Sequence, residues 1–287
     1  MNKRLIFYYP KLFIRFLLSP LYFSRIFLND LKAFFGIYSY SYKHIFIAGY
    51  PKSGTTWVEN FISRIPGYNP RVLFGDADIL RRHNLPVDTF SKIPYFGYSA
   101  IKTHINPSAD NIQILKKEGI NKLVVMYRDP RDIIVSNYYH VKSFNPWKIT
   151  DPEYANYSSL DRDDALMHST NLILDDFCDW VFGWKDIASS GTLDCLFVSY
   201  EDLRKNPLKS FDKILNFYDI PHNSELINSL MAKSNTRRFK GPSGFEPGAK
   251  STHREGKSGS WADELSRCHI DFINKKIGNC LTKLGYK

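Results

Sequence analysis

Cysteine is scarce in this chain, and each one stands alone. Cys178, Cys195, Cys268 and Cys280 form no C-x-x-C pair, and no histidine cluster accompanies them. That pattern argues against a zinc site or a disulfide framework, and it predicts buried apolar thiols in a reducing, cytoplasmic setting. A long uncharged run is also missing. The longest in the apolar N-terminal region, Phe16–Ser24, falls far short of the ~20 residues that a membrane span needs. Arg15 and Arg25 interrupt that region, and Pro10 and Pro20 break its helical continuity. No small-residue cleavage site follows a clean apolar core, so secretion is not expected. No internal repeat and no low-complexity tract is present, and no carboxylate cluster is spaced to hold Mg²⁺.

What is present is an apolar chain with a basic excess. Hydrophobic residues make up 43% of 287 residues, enough to bury a sizeable core, and the formal net charge is +10. The excess is uneven. Residues 1–40 carry Lys3, Arg4, Lys11, Arg15, Arg25 and Lys32 against Asp30 alone, so the remainder is only mildly basic and no nucleic-acid partner is expected. The sequence divides into a basic, apolar segment (1–40) and a main domain (41–287). Arg4, Lys11 and Arg15 share one helical face beside Phe7, Phe13, Phe16, Leu17 and Leu18. Two readings of residues 1–36 stand side by side: peripheral contact with an anionic membrane surface, or short helices packed on the main domain.

Short apolar runs alternate with helical patterns. His44–Gly49, Ser99–Thr103, Lys122–Tyr127 and Leu193–Ser199 have the continuous apolar character of parallel strands covered on both faces. Helices are expected from Thr55 to about Ile65, from about Pro130 to Val141, and over Asp164–Ile187, Leu208–Phe217 and Asp263–Leu284. Arg71–Asp88 and Gly241–Ser260 are expected as loops. The alternation predicts an α/β domain, a central parallel sheet flanked by helices, with ligands beyond the carboxyl ends of the strands.

Two strand ends carry chemistry. Gly49-Tyr-Pro-Lys-Ser-Gly-Thr-Thr-Trp57 joins a strand to a helix, where backbone N–H groups and the helix dipole favour an anion. Gly54 permits close approach, and Ser53, Thr55 and Thr56 add hydroxyls. The glycine spacing is that of a nucleoside-triphosphate loop, but Thr55 stands where that loop has lysine. The charge sits instead on Lys52, near the bond to a transferred group. The later Gly256-Lys257-Ser258 imitates the end of such a loop but lacks the leading glycine. At the second strand end, Arg128 and, two turns into the next helix, Ser136 form a candidate second phosphate site; the competing role for Arg128 is an ion pair with Asp132.

Taken together, YPKSGTTW (50–57), KTH (102–104), YRDPRDIIVSNYYH (127–140), YEDL (200–203) and REGKSGSW (254–261) resemble, in order and spacing, the sulfotransferases that use 3′-phosphoadenosine 5′-phosphosulfate (PAPS), closest to the cytosolic type. The resemblance spans about residues 44–285. It implies that Lys52, Ser53, Gly54, Thr55 and Thr56 bind the 5′-phosphosulfate and that Trp57 stacks on adenine with Tyr200 nearby. It also implies that Arg128 and Ser136 bind the 3′-phosphate and that the loop Arg254-Glu255-Gly256 completes that site. His104 takes the role of general base, Lys52 stabilises the bridging oxygen and Lys102 binds the sulfuryl oxygens, with no metal required; His140 and His44 are weaker candidates for the base. The chain departs from the family at Glu255, where a lysine is usual, at Ser234-Asn235-Thr236, which lacks an adenine-side aromatic, and at Ala262–His269, where the dimer motif is not evident.

The expected activity is sulfuryl transfer to a hydroxyl or amine of a small or lipid-like acceptor. The aromatic stretch 138–157, with Phe144, Trp147 and Tyr154, is a candidate lining for the acceptor pocket. The alternatives are a nucleotide-dependent kinase, disfavoured by the missing loop lysine, and a non-catalytic module binding anionic lipid or nucleic acid.

Overall fold

The computed structural model describes residues 20–71, 73, 84–86, 89–93, 97–142, 157–234 and 257–286. Its centre is a five-stranded, wholly parallel sheet of order β2-β3-β1-β4-β5, formed by β1 (His44–Gly49), β2 (Tyr68–Arg71), β3 (Tyr98–Thr103), β4 (Lys122–Tyr127) and β5 (Asp194–Ser199). Alternate residues of the central strands point to opposite faces. Phe46, Ala48, Ile101, Leu123 and Val125 enter one buried cluster; Ile45, Ile47, Ala100, Val124 and Met126 enter the other. Two apolar faces need two helical layers, and the chain supplies them. On the first face lie α3 (Ala109–Lys117), α4 (Pro130–Lys142), α5 (Arg162–Leu174), α6 (Phe177–Ser189) and α11 (Arg267–Lys283). On the second lie α2 (Thr55–Ile62), α8 (Pro207–Phe217) and α9 (Ser224–Ser234). Two short helices, α7 (Tyr200–Lys205) and α10 (Trp261–Glu264), sit near the strand ends.

The expected strands and the parallel sheet are present, with several differences of detail. β2 falls where no strand was anticipated, because its four residues, YNPR, carry a proline; the strand lies at the sheet edge, where proline is tolerated. The pattern over 164–187 suggested one helix, yet two form. Asp175 and Asp176 end the first and begin the second, and Asp176 Oδ1 accepts from the buried Tyr50 hydroxyl at 2.9 Å. The C-terminal helix likewise divides at Leu265–Ser266 and kinks at Ile277. The helix expected to reach Ile65 stops at Ile62. The two anticipated loops, Arg71–Asp88 and Gly241–Ser260, lie largely outside the described residues.

The cysteines correct the sequence reading. Cys178 on α6 and Cys280 on α11 are joined by a disulfide, with Cα atoms 6.2 Å apart. Helix packing brings together residues 102 positions apart, which spacing in the sequence does not reveal. Cys268 is exposed rather than buried, and Cys195 is half-buried, its thiol pushed up to about 12 by burial and Asp194. The cysteine argument for a reducing compartment therefore lapses.

The N-terminal helix α1 (Pro20–Phe34) packs beside β2 through Ile26, Asn29 and Asp30. Arg71 of β2 reaches Asp30 at 2.5 Å, and Asn69 donates to Ile26 O at 3.1 Å and to Asp30 Oδ1 at 3.0 Å. Burial lowers the Arg71 guanidinium to about 9. The first acid of the chain is thus spent on a buried pair inside the domain.

Candidate active site

The site lies at the carboxyl edge of the sheet, around its middle strand. β1 has β3 on one side and β4 on the other, and register sets which residues meet there. Ala48 is beside Thr103, Gly49 beside Met126, and Tyr127 beside Ser199. One step beyond these pairs come the loop 50–54, His104, Arg128 and Tyr200. The chain passes from one side of β1 to the other between β3 and β4, so this edge is a switch point where open α/β sheets bind ligands.

The loop after β1 is built from backbone constraints. Gly54 caps α2 at φ 86°, with no side-chain cap for the helix start, and a Cβ there would lie 2.7 Å from the Tyr200 ring. A Cβ at Gly49 would collide with Thr55 Cγ2. Lys52 has φ 67°, a left-handed conformation that costs a lysine roughly 1–2 kcal/mol. Backbone strain of this kind persists where the surroundings over-determine it, as at binding loops. The Ser53 hydroxyl is buried and turned inward, bonded to Tyr50 O and Met126 O. Its role is to tie the loop to β4; the sequence reading had it facing the anion. Thr55 is buried, whereas Thr56 is exposed.

Lys52, Lys102 and His104 gather beside this loop. The Lys52 ammonium is lowered to about 8, first by burial and then by the Arg128 charge. Lys102 Nζ donates to Thr56 Oγ1 at 2.8 Å and pairs with Glu59 Oε2 at 3.0 Å. His104 Nδ1 lies 2.7 Å from Gly49 O. A carbonyl only accepts, so that contact places the ring proton on Nδ1 and leaves the basic lone pair of the neutral ring on Nε2. His140, at the end of α4, is pushed down to about 3 by burial, with Lys52 and His104 adding to the effect. A ring so hard to protonate is a poor base, and His44 sits at the opposite end of β1, against Phe90. Geometry therefore favours His104.

The second cation site forms where β4 passes into α4. Arg128 is buried; its guanidinium lies 4.2 Å from the Tyr200 ring centre, donates to Lys257 O at 2.9 Å and lies 3.4 Å from Asp132 Oδ2. The anticipated ion pair with Asp132 is present, yet among the described residues the buried Arg128 Nε has no hydrogen-bond partner. Asp132 also accepts from Gly259 N (2.8 Å), Ser260 Oγ (3.2 Å) and Trp261 N (3.2 Å). It thereby fastens segment 257–261 over Arg128. Arg131 clamps Asp129 and lies 3.8 Å from the Trp261 ring centre, holding the same segment from behind. Ser136 is half-buried on α4. Arg254, Glu255 and Gly256, together with Phe144, Trp147 and Tyr154, lie outside the described residues.

Trp57 is half-buried, edge-on to Phe211 at 5.9 Å and 5.7 Å from the Arg204 guanidinium. The sequence reading missed Asp132 as the organiser of the C-terminal segment and missed Glu59 entirely. The signal for Asp132 was its place four residues after Arg128; for Glu59 it was an acid in the second turn of an anion-binding helix. Among the described residues, no group of three or more His, Cys, Asp and Glu side chains is arranged to hold a metal ion.

Comparison with known proteins agrees with this architecture. The sulfotransferase domain family covers residues 42–285. Sulfotransferase 1A1 of Canis lupus familiaris is 26% identical over 275 residues, covering 82% of this chain and 83% of that protein. Cytosolic sulfotransferase 10 of Arabidopsis thaliana is 26% identical over 282 residues, covering 85% and 79%. Luciferin sulfotransferase of Photinus pyralis is 24% identical over 210 residues, 65% of this chain and about half, 54%, of that protein. Among solved structures, mouse sulfotransferase SULT7A1 complexed with PAP superposes with a TM-score of 0.61 at 21% identity, covering 83% and 84% of the two chains, which shows a shared fold. With the family covering the whole sheet and both strand-end sites, this chain belongs to the sulfotransferases.

Proposed function

We propose that the chain moves a sulfuryl group from PAPS to a hydroxyl or amine of a small or lipid-like acceptor. The observation that carries this reading is the pair of cation-bearing strand ends, the Lys52 loop and Arg128, with Lys102 and His104 beside the first. The local chemistry fits the donor. The α2 start has N–H groups with no side-chain cap for the 5′ end, and buried Arg128 has an Nε–H without a partner among the described residues for the 3′-phosphate. The donor supplies an activated sulfuryl group. His104 Nε2 takes the acceptor's proton as the new S–O (or S–N) bond forms. Lys52 meets the charge left on the bridging oxygen as the old S–O bond breaks, which yields adenosine 3′,5′-bisphosphate (PAP). Lys102 holds the sulfuryl oxygens.

Titration calorimetry with PAP and with ADP tests the reading. PAP should bind at least ~100-fold more tightly, because only PAP engages the buried, charged 3′ site. Equal affinity for the two would remove the assignment of the donor.

The acceptor reading rests on the N-terminal face. Phe27, Leu28, Leu31, Phe34, Phe35 and Ile37 are exposed, Phe35 to 69% and Ile37 to 63%. The first five recur at helical spacing, opposite the inward-facing Asn29 and Asp30. No described helix is long and apolar enough to cross a membrane. In this reading α1 lies in the interface of an anionic bilayer, with Lys3, Arg4, Lys11, Arg15 and Lys32 drawn to the headgroups, and delivers the site to an amphiphilic acceptor.

A further inference from the structure

An acid sits where the donor reading wants only positive charge. Glu59 lies in the second turn of α2, the helix whose start faces the donor phosphosulfate, and its side chain is 9% exposed. A buried carboxylate beside an anion site opposes anion binding, so its presence requires an explanation. Its one ion-pair partner among the described residues is Lys102, 3.0 Å away, and Lys102 also donates to Thr56 Oγ1 at 2.8 Å. Thr56 and Glu59 are three residues apart on one face of α2, and Lys102 reaches them from the neighbouring strand β3.

An ammonium has three N–H donors in tetrahedral array. Thr56 and Glu59 take two, which fixes the direction of the third. A free lysine must lose rotamer freedom to hold one geometry; here that ordering is met on folding rather than during the reaction. We propose that Glu59 is a positioning residue for sulfuryl transfer, holding Lys102 through an ion pair so that the remaining N–H meets the sulfuryl group. Orientation is gained at the expense of ground-state donor affinity, because the same carboxylate repels the donor's charge. The inference rests on the assignment of PAPS as donor.

The predicted signature is a split that simple loss of structure does not give. In Glu59→Gln, PAP should bind about 3–10-fold more tightly by calorimetry, while release of label from ³⁵S-PAPS, with water or a phenol such as 2-naphthol as acceptor, slows by tenfold or more. Glu59→Asp keeps the charge but shortens the reach, and should slow turnover without tightening PAP. In a Lys102→Met background, Glu59→Gln should slow label release no further, because the two residues act as one unit. Unchanged release in Glu59→Gln, weaker PAP binding, or a loss that simply adds to that of Lys102→Met would each overturn the proposal. Failure of the wild-type protein to bind PAP would instead overturn the donor assignment, so the two failures are distinguishable.

Discussion

Lys52 concentrates the chemistry of the site in one side chain. It holds a left-handed backbone and an ammonium lowered to about 8 by burial and by Arg128. Below that pH the lysine is charged and ready for an anion; above it, binding must first restore the proton. The dissociation constant of PAP should therefore be level near pH 7, rise about twofold by pH 8 and then climb further, approaching tenfold per pH unit, whereas Lys52→Gln should bind weakly at every pH with no such rise. Calorimetry across pH 7–10 measures this, and a level wild-type curve would contradict it. His104 separates binding from chemistry: His104→Ala should retain PAP affinity within about twofold while turnover falls ~10²–10⁴-fold. Near-normal turnover in that variant would remove His104 as the base.

Among the elements, the start of α4 does the most to assemble the site. It presents Asp132, which receives three hydrogen bonds from residues 259–261 and stands beside Arg128. Hydrogen bonds to a charged group are worth about 1.5–3 kcal/mol each. Asp132→Ala should release the C-terminal segment and weaken PAP binding ~10–100-fold, with Asp132→Asn intermediate. Affinity within twofold of wild type, with only a lowered melting temperature, would reduce Asp132 to a scaffold residue. This element also marks how far the sequence was legible. The strand runs, the glycine loop and Arg128 could be read directly, since each is a local pattern with a local cause. Asp132 could be read only as a partner of Arg128, because its other partners lie more than 120 residues away. The Cys178–Cys280 bond and the Glu59–Lys102 pair escaped for the same reason: both are products of packing between elements. The inward turn of Ser53 escaped because a hydroxyl in a glycine-rich loop looks alike in sequence whether it faces ligand or backbone.

For the molecule as a whole, the question is where it works. The exposed face of α1 and the turn that follows it offer six large apolar side chains, four on the helix and two, Phe35 and Ile37, just beyond it, each worth roughly 1 kcal/mol on transfer from half-exposed to covered. Pelleting with vesicles of phosphatidylcholine and phosphatidylserine should capture the protein, and Phe35→Glu with Ile37→Glu should cut capture tenfold or more without altering PAP affinity. Wild-type protein that remains in the supernatant would end the membrane reading. Deleting residues 1–36 is a poorer test, because it also removes Asp30 from its buried pair with Arg71 and so disturbs the domain along with the membrane contact.

The strand order has a consequence for how this protein is made. β1 carries the donor loop, and its two neighbours in the sheet arrive some fifty and eighty residues later. Such distant pairing is slow to form, and until β4 has docked, Arg128 has no fixed position relative to Lys52. During synthesis or refolding, the ability to hold a nucleotide should therefore appear late and all at once, making PAP a reporter of the finished fold rather than a guide toward it.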